Sequence, residues 1–162
     1  MILIALGSNV SSLWGPPRST LERTIGSLDS GGCRLIKASS LFETAPFGKT
    51  DQPNFVNAVV RIACEMTPEA LLEQLQRLER LAGRVHSEKW GPRPLDLDII
   101  DFDGLIRQEP PPVLPHPGIP QRPFVLAPIA EVAPRWRHPI LRKTAAQMLE
   151  QLKGQSEGAI LG

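Results

Sequence analysis

The stretch CRLIKASSLFETAPFGKTDQPNFVNAVVRIAC, residues 33–64, decides the fold. Its last third, FVNAVVRIAC at 55–64, places an apolar side chain at every second residue and so predicts a strand. The residues on its apolar face are Val56, Ala58, Val60 and Ile62. Residues 33–43 predict another strand, and 44–54, rich in Thr, Pro, Gly and Asp, predict the loop between them. Two strands therefore follow each other without a helix between.

The flanking segments predict helices and two further strands. Residues 2–6 and 96–102 are apolar enough for strands. A helical apolar period follows the pair Pro16-Pro17, and another follows Thr67 and Pro68, which suit an N-cap and a first helical residue, so both segments predict helices. A last helix is predicted near 143–153. The proline-rich residues 110–139 predict a long ordered wrap. The order strand, helix, strand, strand, helix, strand predicts an α+β fold, a ferredoxin-like sandwich with a mainly antiparallel sheet and helices packed on its faces.

Composition narrows the class of protein. A chain of 162 residues with 41% hydrophobic and 22% charged residues predicts one globular domain, 1–162. No apolar run reaches the roughly 20 residues of a membrane span, and the start lacks a basic leader, so we expect a cytoplasmic protein without a membrane partner. A net charge of +1 gives no field for gathering nucleic acid. Cys33 and Cys64, without metal-ligand spacing, are expected to be reduced and buried.

The segment WGPRPLDLDII, residues 90–100, carries the clearest chemical signal. Asp96 and Asp98 lie two apart on a predicted strand, so both carboxylates project from one face, with Cα atoms about 6.6–7 Å apart. Such a like-charged pair repels unless a cation lies between, and hard oxygen ligands suit Mg²⁺. Two solvated surface acids are the alternative.

Cationic and aromatic residues surround this pair in the sequence. Arg84, His86, Lys89 and Arg93 suit a phosphoryl-transfer site, although surface salt bridges would also explain them. Trp90 is either a packing residue or a platform for a flat ligand.

Two other segments carry weaker signals. Gly7-Ser8-Asn9 after the first strand indicates a tight turn more readily than a phosphate cradle. His116 and Arg122 could grip a phosphate, and Phe124 could stack on a ring.

Together these segments resemble the 6-hydroxymethyl-7,8-dihydropterin pyrophosphokinases of folate biosynthesis. The resemblance runs through Gly7-Ser8-Asn9, FETAPFGKTDQPNFVNAVV (42–60), KWGPRPLDLDII (89–100) and HPGIPQRPFVLAPIAEVAP (116–134). It implies transfer of the β,γ-diphosphate of ATP to the hydroxymethyl oxygen of the pterin, with release of AMP. Another Asp-x-Asp metal-dependent nucleotidyl- or glycosyltransferase is the alternative enzyme. A ferredoxin-like nucleic-acid-binding module is disfavoured, because the strands lack alternating aromatic and basic residues.

The same resemblance implies residue roles. Asp96 and Asp98 would bind two Mg²⁺ ions and, with Arg84 and Arg93, act in catalysis. The pterin pocket would be lined by Thr44, Ala45, Phe47, Phe55, Asn57, Trp90 and Phe124. ATP would contact Leu72, Gln76, Glu79, Arg84, Lys89, Trp90, Arg93, Ile99, His116 and Arg122.

The chain also departs from the family pattern. Phe55 stands where many members have Tyr, and His86 and Lys89 stand where arginines are familiar. Pro111 and Val113 replace polar residues that touch the nucleotide in some members. Residues 84–93 are expected to close over bound MgATP, more loosely than with a full arginine set. No residue is assigned as a general base.

Overall fold

The computed structural model describes residues 1–45, 53–83 and 92–155, and in this part the chain forms five strands and four helices. The strands are β1 (Ile2–Ser8), β2 (Cys33–Ala38), β3 (Phe42–Thr44), β4 (Phe55–Cys64) and β5 (Asp96–Phe102). The helices are α1 (Pro17–Ser27), α2 (Pro68–Leu81), α3 (Pro123–Val132) and α4 (Ala145–Gln155). A short 3₁₀ turn at Ile119–Gln121 precedes α3. No helix among these described residues is long and apolar enough to cross a membrane.

The strands form one antiparallel sheet in the order β2-β4-β1-β5, and β3 pairs with β4 beside β2. β1 lies between β4 and β5 and is buried along almost its whole length. Every pair of neighbouring strands runs in opposite directions, which confirms the predicted, mainly antiparallel sheet.

Each face of the sheet carries a helix pair over its own hydrophobic core. α1 and α2 cover the face that presents Leu6, Ala58 and Leu97, and α3 and α4 cover the face that presents Leu3 and Val59. The predicted apolar stripe of the last helix faces the second core through Ala145, Met148, Leu149 and Leu152. The ferredoxin-like sandwich with helices on its faces is therefore confirmed.

The single strand predicted over 33–43 was wrong, because two strands, β2 and β3, occupy this stretch. At the break, the Ser39 backbone N–H donates to the Val59 carbonyl, and the Val59 N–H donates to the Ser39 side-chain hydroxyl instead of a carbonyl. The Ser40 N–H and hydroxyl both donate to the Glu131 carboxylate. Side-chain hydrogen bonds thus replace the ladder here.

The stretch 110–139, predicted to be a long ordered wrap, contains the helix α3, which was not predicted. Pro123 starts this helix at a position where the missing N–H costs nothing. Pro128 lies in its interior and removes the donor for the Phe124 carbonyl, which would disfavour a helix in isolation. Packing of Leu126 and Ile129 in the second core offsets that loss.

The two cysteines are free, as predicted, but only partly buried. They lie directly opposite each other at one end of the β2–β4 ladder. Burial and the neighbouring Cys64 raise the pKa of Cys33 to about 11, so its thiol is protonated at neutral pH.

Asp101 is a buried acid on β5, 2% exposed beneath the helices of the second face. Its Oδ2 accepts hydrogen bonds from Trp136 Nε1 at 3.2 Å and the Gly104 N–H at 3.3 Å. Its Oδ1 has no hydrogen-bond partner among the described residues. Burial raises the pKa of Asp101, although both hydrogen bonds oppose that shift.

Asp101→Asn should flatten the pH dependence of stability. The folded state holds this proton more tightly than the unfolded chain, so the wild type loses stability as pH rises from the unfolded pKa through the raised folded one. Asparagine cannot ionise and does not lose this stability. The free energy of unfolding of the variant minus that of wild type should therefore be larger at about pH 7 than at about pH 4. Urea unfolding of both proteins at both pH values measures this difference. The same difference at the two pH values would contradict a raised pKa of Asp101.

Candidate active site

The register of the sheet places an amide and an acid on either side of a glycine. Gly7 of β1 lies opposite Asn57 of β4 and opposite Asp96 of β5. Residues directly opposite on antiparallel strands point to the same face, and two strand spacings separate the outer backbones by about 9.5 Å. In the next row on that face, Ala5 lies opposite Val59 and Asp98. Both acids therefore share one face, as predicted.

Small residues in β1 leave a cleft between the side chains of β4 and those of β5. Ala5 and Gly7 form its floor. A Cβ atom added at Gly7 would lie 3.1 Å from Asn57 Oδ1 and 3.7 Å from Phe55 Cδ1, so the glycine provides the space in which the Asn57 side chain lies. A larger residue at position 7 would therefore crowd the Asn57 amide and narrow the cleft.

The cleft has a volume of about 240 Å³, close to the lower end of the roughly 300–1,000 Å³ of small-molecule sites. This size suits a small ring system better than a whole nucleotide. Its lining comprises Ala5, Leu6, Gly7, Thr44, Ala45, Phe55, Asn57, Arg93, Asp96, Asp98, His116, Arg122, Phe124 and Val125.

The β4 side of the cleft has an amide held in one orientation. Asn57 Nδ2 donates to Thr44 Oγ1 at 2.6 Å, and both side chains are buried. This bond sets the orientation of the amide, with Oδ1 toward Gly7. Phe55 from β4 and Phe124 from the first turn of α3 supply flat apolar surface to the same cleft.

The β5 side presents two partly exposed acids on a braced strand. Asp98 is 40% exposed at its side chain. Between the acids, the Leu97 N–H donates to the buried Glu79 Oε2 of α2 at 2.8 Å. Within residues 1–45, 53–83 and 92–155, no group of three or more His, Cys, Asp or Glu side chains could hold a metal ion. A hard cation here would thus need oxygens from a substrate and water.

His116 is held beside Asp98 in a defined tautomer. Its backbone N–H donates to the Ile100 carbonyl, which attaches its loop to β5. Its Nδ1 accepts from the Gly118 N–H at 3.1 Å, so the neutral ring carries its hydrogen on Nε2, which lies 3.9 Å from Asp98 Oδ2. Burial, followed by the Arg122 guanidinium, lowers the pKa of His116, so the ring is neutral at pH 7.

Two arginines add positive charge to the cleft lining. Arg93 comes from the segment before β5, and Arg122 lies at the N-terminal boundary of α3. Arg122 packs closely over Gly118, because a Cβ there would lie 2.6 Å from its Nε. Opposite charges thus line one cleft, with carboxylates on one strand and guanidinium groups on the loops.

The structure brings together most, but not all, of the predicted site residues. Leu72, Gln76 and Glu79 lie on α2, and Ile99 packs in the core beneath it, so none of these four lines the cleft. Their ATP contacts stay predictions. Phe47, Arg84, His86, Lys89 and Trp90 lie outside the described residues.

The family model described as 7,8-dihydro-6-hydroxymethylpterin-pyrophosphokinase (HPPK) matches residues 3–134. The chain belongs to the HPPK family. The predicted activity of an ATP-dependent pyrophosphokinase of folate biosynthesis is thereby confirmed over the nucleotidyl- or glycosyltransferase alternative.

Two relatives named 2-amino-4-hydroxy-6-hydroxymethyldihydropteridine pyrophosphokinase illustrate the similarity. The Synechocystis protein is 36% identical over 151 residues, which covers 93% of this chain and 75% of the relative. The Methylorubrum extorquens protein is 39% identical over 131 residues, 81% of each chain. Among solved structures, Plasmodium falciparum HPPK-DHPS with pteroate aligns with a TM-score of 0.71 at 14% identity. This alignment covers 98% of the present chain but only 44% of that protein, and it shows a shared HPPK fold.

Sequence reasoning missed four residues that line the cleft, including both residues of its floor. These are Ala5, Leu6, Gly7 and Val125, and none was predicted to be a site residue. The available signal was the pair of small residues, Ala5 and Gly7, on one face of an otherwise bulky apolar strand. Gly7-Ser8-Asn9 also does not form the predicted turn throughout, since β1 remains extended through Ser8.

Gly7→Ala should weaken binding of the pterin. The new methyl group would press on Asn57 Oδ1 at 3.1 Å and narrow the floor between the two walls. Overpacking costs about 1–3 kcal/mol, and where the bound ring bears that cost the pterin Kd should rise about fivefold to 150-fold. Calorimetry with the pterin and a non-hydrolysable ATP analogue measures the change.

Gly26→Ala is the matched control for this substitution. Gly26 lies in α1, and a Cβ there would meet nothing within 4 Å. It should leave pterin affinity unchanged and stabilise the helix by about 0.5–1 kcal/mol. Equal affinities in wild type and Gly7→Ala would show that the ring does not lie on this floor.

Proposed function

We propose that the cleft between Asn57 and Asp96 is where this chain transfers the β,γ-diphosphate of ATP to the hydroxymethyl oxygen of 6-hydroxymethyl-7,8-dihydropterin. The observation that carries the proposal is the row Asn57, Gly7 and Asp96, which sets a ring-binding amide beside an acid pair. A bond forms between the hydroxymethyl oxygen and the β-phosphorus, and the bond from that phosphorus to the bridging oxygen of the α-phosphate breaks. AMP leaves with that oxygen, and the hydroxyl proton passes to solvent.

The pterin ring lies over the β1 floor in this proposal. Asn57 gives one amide hydrogen to Thr44, so its second hydrogen and Oδ1 are directed to the polar edge of the ring. Phe124 supplies one stacking face, and Phe55 adds apolar contact without a hydroxyl. Ala45 closes the same wall. Phe47 and Trp90 are predicted to complete the pocket.

Asp96 and Asp98 hold magnesium in this proposal. Their donor chemistry fits, because two partly exposed carboxylates on one strand face offer hard oxygens and leave coordination positions for phosphate and water. When bound, two Mg²⁺ ions shield the charge of the ATP phosphates.

The remaining cleft residues bind and orient the phosphates. Arg93 and Arg122 supply charge-assisted hydrogen bonds, and neutral His116 donates its Nε2 hydrogen. Arg84 and Lys89 are predicted to add positive charge. Placing two substrates at one row of the sheet supplies proximity, which with electrostatics accounts for most of the rate.

The proposal extends to the setting of the reaction. Residues 1–162 act as one pyrophosphokinase domain in the cytoplasm on two small-molecule substrates. The apolar cores on both faces of a single sheet support the single domain, since both helix pairs pack on that one sheet.

Asp96→Asn and Asp98→Asn should each lower turnover by about a hundredfold or more while the fold persists. Loss of one carboxylate weakens cation binding, and it also removes like-charge repulsion from the unliganded strand. Chromatographic measurement of AMP released from ATP and the pterin gives turnover, and circular dichroism follows the fold.

Asp103→Asn is the matched control. Asp103 lies just beyond the other end of β5, is well exposed, and has a positive φ of 53° that asparagine also tolerates. Its turnover should equal that of wild type. Near-normal AMP release by either site variant would remove that acid from the mechanism, and release of ADP or pyrophosphate by wild type would contradict the proposed reaction.

A further inference from the structure

Asn9 is a buried residue at the end of β1 that joins two other segments of the chain. It is 2% exposed and does not line the cleft. Its backbone N–H donates to the Arg93 carbonyl at 3.0 Å, and the Arg93 N–H donates to Asn9 Oδ1 at 2.8 Å. Its Nδ2 donates to the Pro53 carbonyl at 3.1 Å. Both ends of one side-chain amide are therefore engaged, with partners 84 and 44 residues away.

The two partners belong to opposite walls of the cleft. Pro53 lies two residues before Phe55, where β4 begins and the ring-binding wall starts. Arg93 itself lines the cleft and lies three residues before Asp96, the first residue of β5. A shift of either backbone at Asn9 would consequently reach the Phe55 wall or the Arg93 and Asp96 wall within two or three residues.

The chemistry of asparagine suits this position. Its planar side chain carries an acceptor and a donor a fixed distance apart, so one residue can satisfy a backbone N–H and a backbone carbonyl. Both partner groups are backbone atoms, and leaving them unpaired in a buried place is costly. Aspartate keeps the acceptor for Arg93 but sets an oxygen against the Pro53 carbonyl, and alanine loses both contacts.

We propose that Asn9 is a positioning residue of the transfer reaction, which sets the spacing between the Phe55 wall and the Arg93 wall of the cleft. It touches neither substrate and acts through these two backbones. The proposal rests on the proposed function of the cleft. It predicts that the two halves of the amide serve different substrates, the donor half through Pro53 for the pterin and the acceptor half through Arg93 for ATP.

The test compares Asn9→Asp and Asn9→Ala with the control Asn54→Ala. Asn54 is exposed, adjoins Pro53, and does not line the cleft. Steady-state kinetics would give kcat and the KM of each substrate, well below the unfolding midpoint of each variant. Asn9→Asp should raise the KM of the pterin about tenfold and leave the KM of ATP within about twofold. Asn9→Ala should raise both KM values and lower kcat, and Asn54→Ala should match wild type.

Amide hydrogen exchange at Arg93 provides a second readout that does not depend on turnover. In Asn9→Asp the Arg93 N–H keeps its acceptor and should stay protected, and in Asn9→Ala it should exchange faster. If Asn9→Ala does not fold, the pterin-selective KM change and the retained Arg93 protection of Asn9→Asp still decide the proposal.

Three outcomes would overturn the positioning role. The first is that both Asn9 variants keep wild-type kcat and KM values despite a lower unfolding midpoint. The second is an equal rise of both KM values in Asn9→Asp. The third is an unchanged rate of hydrogen exchange at the Arg93 amide in Asn9→Ala. A wild-type protein that releases AMP normally would in these cases leave the proposed function intact. Failure of wild type to release AMP would instead count against the function itself.

Discussion

The pairing of β1 with β4 on one side and β5 on the other is the constraint on which the site depends. Gly7 lies opposite both Asn57 and Asp96, and Ala5 lies opposite Asp98. A slip of one residue in either ladder would turn one wall of the cleft to the opposite face of the sheet. The first core resists such a slip, because it would bring Asn57, or Asp96 and Asp98, into that core in place of apolar side chains. The energetics of the core thus hold the geometry of the site.

The same strand face shows how environment gives different roles to acids of one type. Asp96 and Asp98 lie in the first half of β5, where they are partly exposed and line the cleft. Asp101 lies farther along that face beneath the helices, where burial raises its pKa and Trp136 donates to its carboxylate. Position along the strand therefore separates two acids suited to a cation from one that fastens the Trp136 segment to the sheet.

Much of the fold was predictable because its signals are local. Alternation in 55–64 and the apolar residues of 96–102 predicted strands with the observed bounds, and the spacing of Asp96 and Asp98 placed both on one face. The break at Ser39 and the helix through Pro128 were not predictable in this way, because a side-chain bond to Val59 and packing in the second core override local propensity. Family resemblance located the Asn57 wall, but the contacts of Asn9 join residues 84 and 44 apart and leave no local signal.

Nuclear Overhauser contacts from the bound pterin test the central claim most directly. The protein would be saturated with magnesium, a non-hydrolysable ATP analogue and 6-hydroxymethyl-7,8-dihydropterin. We expect contacts from the ring to the Ala5 methyl group, the Gly7 α-protons and the Phe124 ring, all of which line the cleft. Contacts confined to Val10, Pro16 and Asn54, which line a separate depression on the surface, without any to Ala5 or Gly7, would contradict the account.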